Sequence, residues 1–154
     1  MNKFLLHLRV LDGILDKKIN TLDRILILTE KQKEFLTVES HDNSALHLYK
    51  ETNDEKQKLI DVIIESDKLF EKTYQEIGPE FEVEAPKHAE LVKQIQEGIK
   101  RATTLNVNIR VQEARNNVAQ PMRKKVPNNK PMRKKIAWAY EKNKTPKKGE
   151  LGGV

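Results

Sequence analysis

The chain is expected to be all-α, an elongated antiparallel three-helix bundle or coiled coil followed by a disordered basic C-terminal tail. Three observations predict this. Apolar residues recur at steps of three and four along three long stretches, the spacing of a helical face. Proline, which removes a backbone donor and clashes inside a helix, is absent before Pro79. Pro79 and Pro86 then bracket one connection, and the remaining prolines all lie beyond residue 120. Finally, 34% of residues are charged and only 37% apolar, which suits helices that bury narrow seams. We therefore divide the 154 residues into a helical body, 1–120, and a tail, 121–154.

The first helix is expected over 3–38, with a seam of Phe4, Leu8, Leu11, Leu15, Ile19, Leu22 and Leu26. "TVESHDNSAL" then gathers turn-formers, and Asp42, Asn43 or Ser44 can cap a new helix. The second helix, 44–77, has the seam Tyr49, Thr52, Lys56, Leu59, Ile63, Ser66, Phe70, Tyr74, Ile77. Gly78-Pro79 is expected to end it, with Gly78 left-handed and Pro79 unable to continue. Pro86 suits the first turn of a third helix, 86–117, whose seam is Leu91, Ile95, Gly98, Ala102, Leu105, Ile109. Gly98 on that seam points to close approach of another helix. "LNVNIRV", 105–111, alternates strictly and by itself reads as a strand. A lone strand leaves its edge unpaired, so we read a weak helix there, one that a bound partner would complete.

The absence of cysteine excludes disulfides, thiolate metal sites and a cysteine nucleophile. The opening run has a lysine before apolar residues, but His7, Arg9 and Asp12 interrupt it and no small-residue cleavage site follows. With no apolar stretch long enough to span a bilayer, a soluble, cytoplasmic protein is expected. The net charge of +6 is unevenly placed. Residues 121–154 hold 11 Lys/Arg against Glu141 and Glu150, a net of +9, so the body carries −3. Basicity belongs to the tail.

Nothing in the sequence suggests catalysis. His7, His41, His47 and His88 fall on separate segments, with no pair at the i, i+4 spacing of a helical metal site. Carboxylates alternate with lysines as on solvated helix faces, and no phosphate-binding glycine loop or nucleophile elbow occurs. No enzyme activity, cofactor or metal is expected.

The stretch "ILILTEKQKEFLTVESHDNSALHLYKETNDEKQKLIDVIIESDKLFEKTYQEI", 25–77, resembles the FlgN family of flagellar export chaperones. The shared features are a first helix ending in Glu/Lys/Gln-rich turns, a short Asp-containing break, and a Leu-Tyr…Glu-Lys-Gln-Lys-Leu-Ile second helix. The likeness extends in texture over 1–120, and FliT-type chaperones share that texture. The resemblance implies a small cytoplasmic helical protein that holds hook-associated proteins before export. It then passes them to the type III secretion gate without catalysis or cofactor. Such a chaperone must cover an amphipathic helix reversibly, which helix-in-groove packing achieves. The apolar residues of the third helix, Leu105, Val107, Ile109 and Val111, are the candidate client contacts, though the same residues serve equally well as core. A second copy laid into the groove would also add apolar burial, so a homodimer is a further expectation.

The tail repeats Pro-Met-Arg-Lys-Lys at 121–125 and 131–135 and then places Ile136, Trp138 and Tyr140 in alternation. The prolines forbid a continuous helix there, and the composition is that of an extended segment. Trp138 and Tyr140 are candidates for protein docking, the role the resemblance implies for C-terminal handover to the gate. Three alternatives stay open. The two Arg-Lys-Lys clusters could contact nucleic-acid phosphates with the aromatics stacking on bases, they could meet an anionic membrane surface, or they could simply solvate the tail.

Overall fold

The computed structural model describes residues 2–37 and 43–118. All secondary structure among them is helical: α1 (Lys3–Thr37), α2 (Ser44–Ile77), a 3-10 turn (Gly78–Glu80), a single turn α3 (Phe81–Glu84), a second 3-10 turn (Ala85–His88) and α4 (Ala89–Val118). The ambiguous 105–111 stretch is helix, continuous with the rest of α4. No helix among the described residues is long and apolar enough to cross a membrane.

The start of α1 is capped by Asn2, whose Oδ1 accepts from the backbone N–H groups of Phe4 at 3.0 Å and Leu5 at 3.4 Å. Asn43 precedes α2 but makes no side-chain capping bond. Gly78 departs from expectation. Its φ of −52° and ψ of −48° are right-handed helical, not left-handed. Pro79, lacking an N–H, breaks the α-helical ladder by itself, and the chain continues as 3-10 turns in the same hand. Pro86 lies in the second of these turns and leads directly into α4.

α1 packs lengthwise against both α2 and α4. Its pairing with α2 is antiparallel: Glu76 meets His7, Asp67 meets Lys18 and Glu55 meets Arg24. Its pairing with α4 is parallel. Gln94 Nε2 donates to Asp12 Oδ2 at 2.8 Å, and Asn116 Nδ2 donates to the Thr29 carbonyl at 3.0 Å. At the level between them, a β-carbon on Gly98 would stand 3.4 Å from Leu15 Cδ1 and 3.7 Å from Ile19 Cδ1, so α4 does approach α1 closely at the glycine.

The buried seam changes character along the axis. Near the start of α1, Phe4, Leu8, Leu11, Leu15, Ile77, Phe81, Val92 and Ile95 form one apolar cluster. Phe81 seals its end between Phe4 and Tyr74, at ring-centroid separations of 6.1 and 5.9 Å. A second cluster, Leu22, Ile25, Ile60, Ile63, Ala102, Leu105 and Ile109, draws on all three long helices. Between the clusters lies the buried ion pair of Lys18 and Asp67. Beyond the second cluster buried polar groups, Gln32, Asn53, Lys56, Glu113 and Asn116, share the interior with Leu28, Leu36 and Tyr49.

Candidate functional site

The site with unusual chemistry is the C-terminal half of α4 and the layer beneath it. Along α4 the inward positions run Ala102, Leu105, Asn106, Ile109, Glu113, Asn116, all buried, so the helical step continues while the residue types change from apolar to polar. Under them, Lys56 is wholly buried and donates to the Glu113 carboxylate on one side and to Gln32 Oε1, at 2.9 Å, on the other. Gln32 Nε2 donates in turn to Asn53 Oδ1 at 2.6 Å and to the Tyr49 carbonyl at 3.4 Å. One lysine thus ties α1, α2 and α4 together.

This layer is costly to bury. Burial pushes the Lys56 ammonium down from the ordinary lysine pKa of 10.5, opposed by the nearby Glu113 carboxylate. Lys18 is lowered for the same reason, opposed by Asp67. The second carboxylate oxygen of Glu113 and both polar atoms of the Asn106 side chain have no hydrogen-bond partner among the described residues, although both residues are buried. Buried polar groups normally find partners. An apolar seam tolerates sliding by a heptad, whereas two charged pairs at fixed heights allow one register, which is the best-attested use of such pairs.

The outer face of the same half-helix is apolar. Val107, Val111, Ala114 and Val118 repeat at steps of four, three and four. They are exposed, Val107 by 38%, Val111 by 43% and Val118 by 76%. Of the four contacts expected from sequence, Leu105 and Ile109 therefore belong to the core cluster and only Val107 and Val111 face outward. The reason is geometric: residues two apart on a helix lie about 200° apart around its axis, so the strand-like alternation splits between opposite faces. Trp138 and Tyr140, and the basic clusters between them and α4, lie outside the described residues.

No family model matches the chain, and no curated protein or solved structure is significantly similar to it.

Among the described residues no three His, Asp or Glu side chains converge as a metal site would require. His88 lies at the edge of the first cluster, stacked 5.8 Å from Phe4, with its Nε2 accepting from Asn2 Nδ2 at 3.3 Å. The polar layer itself was not anticipated from sequence. Lys56 and Ser66 fall on the seam by spacing, but Gln32, Asn53, Glu113 and Asn116 look like surface residues until their helices are placed. The one available signal was the uninterrupted step from Ile109 to Glu113 to Asn116.

Proposed function

We propose that this protein is a flagellar export chaperone, an elongated antiparallel three-helix bundle with a basic tail, which acts in the cytoplasm. It holds amphipathic helical termini of hook-associated proteins and passes them to the type III secretion gate. The observation that carries the reading is the two-faced end of α4, with an apolar stripe turned outward and a polar, incompletely bonded seam turned inward. A client helix covers the stripe by side-chain packing, the ordinary mode of helix-in-groove recognition. The layer beneath, tied across the three long helices by Lys56, fixes the register of α4 and so keeps the stripe presented outward. The resemblance over 25–77 supplies the client class. Trp138 and Tyr140, with the +9 charge of the tail, are the segment we assign to handover.

The test is calorimetric titration of the full chain with helical terminal segments of hook-associated proteins. Micromolar binding is expected, weakened at least tenfold by Val107→Asp/Val111→Asp, with the melting temperature of that variant unchanged. Absence of association at 100-micromolar concentrations, or equal affinity in the variant, would overturn the reading. A salt-dependent gel shift lost on replacing both Arg-Lys-Lys clusters would instead favour nucleic acid as the tail's partner.

A further inference from the structure

A second surface, independent of the client reading, lies on the α1/α2 pair. A groove of about 580 Å³ runs between these helices and is lined by residues of those two alone. Ile14, Val62 and Leu69 supply its apolar floor, and Leu69 is 51% exposed. Val10 and Leu6, also exposed, lie one and two turns back from Ile14 on α1.

The charges on the rim have an order. Asp61, Glu65, Lys68 and Lys72 are all exposed and succeed one another at steps of four, three and four along one stripe of α2. Both acids come first and both bases last, and the spacing is symmetric about a point between Ser66 and Asp67. Reversing the stripe end for end therefore puts Asp61 where Lys72 was and Glu65 where Lys68 was. A two-fold axis through that midpoint performs this reversal on a second copy of the helix, which is the requirement for an isologous interface. Lys17, on the opposite wall, is one residue from Lys18, which pairs with Asp67, so it stands level with Lys68 and with Glu65 of the incoming copy. Within one chain Lys68 lies 3.5 Å from Glu65 and Asp61 accepts from Gln57 Nε2 at 3.0 Å, exposed contacts of the kind that contribute little and are readily exchanged.

We propose that this groove is a homodimer interface, in which α2 of a second copy lies antiparallel along α2 of the first. Val62 and Leu69 are covered at its centre. Asp61 faces Lys72, and Glu65 faces Lys68, twice over by symmetry.

The prediction is read by sedimentation equilibrium of the full chain at 10 to 200 micromolar and low salt. Wild type is expected at twice the monomer mass of 17.9 kDa. Asp61→Lys/Glu65→Lys makes the stripe wholly basic and Lys68→Glu/Lys72→Glu makes it wholly acidic, so each variant alone should sediment as monomer. Mixed one to one, the two should regain the dimer mass, because only the heterodimer pairs opposite charges. All four positions are exposed, so the circular dichroism of each variant should match wild type. If a double exchange loses helicity, the single exchanges Asp61→Lys and Lys72→Glu carry the same mixing test. A monomeric wild type, variants that stay dimeric alone, or a mixture that stays monomeric would each overturn the proposal. None of these results bears on whether client helices bind α4.

Discussion

Replacing Lys56 by methionine tests the polar layer most directly. Lys56 is wholly buried and holds the Glu113 carboxylate, whose second oxygen already has no hydrogen-bond partner among the described residues. Methionine keeps the bulk and removes the charge, leaving a buried, uncompensated carboxylate and depriving Gln32 Oε1 of its donor. Breaking one side of a buried pair costs about 3–5 kcal/mol. Against a total stability of about 5–15 kcal/mol for a domain, that is a large fraction. It should lower the melting temperature by about 10–20 °C. The double variant Lys56→Met/Glu113→Leu removes both charges, leaving only the unsatisfied amide of Gln32, at about 1–3 kcal/mol, partly offset by the added apolar burial. It should therefore be clearly more stable than the single variant, with a coupling energy above about 2 kcal/mol. Urea titrations followed by circular dichroism give all four corners of the cycle. A single-variant loss below about 1 kcal/mol would mean that water already reaches Glu113 and that α4 does not seal the layer, which would refute the reasoning.

Three further outcomes follow from the same geometry. Gly98→Ala places its β-carbon at ordinary contact distance from Leu15 and gains helix propensity, so thermal melting should show a stabilisation of about 0.5–1 kcal/mol; destabilisation would mean that α1 cannot yield there. Asn106→Leu exchanges a buried amide without partners for an apolar group of similar size, so unfolding should cost about 1–3 kcal/mol more urea-derived free energy than in wild type; a loss would point to a bridging water. Because burial lowers Lys18 and Lys56 below 10.5, the unfolded chain binds more protons than the folded one between their folded pKa values and 10.5. These two lysines thus make wild type gain stability as pH rises through that window, and the gain should vanish in Lys18→Met/Lys56→Met when both are titrated with urea at successive alkaline pH values.

Helix existence and extent were legible because they depend on local facts. A spacing of three and four, proline punctuation and turn-forming clusters locate α1 and α2 to within a residue of where they lie, and place α4 close to its observed span. Gly78 was misread because a glycine before a proline signals a stop without specifying its hand, and the chain here continues in right-handed turns. Leu105, Val107, Ile109 and Val111 are all apolar and closely spaced, so the sequence marks the segment but not which pair turns inward.

Sequence by itself therefore determined that this chain is helical, where its helices break and that its basic charge is gathered after them, since each depends on neighbours along the chain. Tertiary structure alone decided that α1 lies between α2 and α4, that Lys56 meets a glutamate 57 residues away, and that Val107 and Val111 stay outside. Those outcomes depend on which surfaces meet across the long axis. A residue's charge costs or contributes energy only once the helix opposite has removed the water around it.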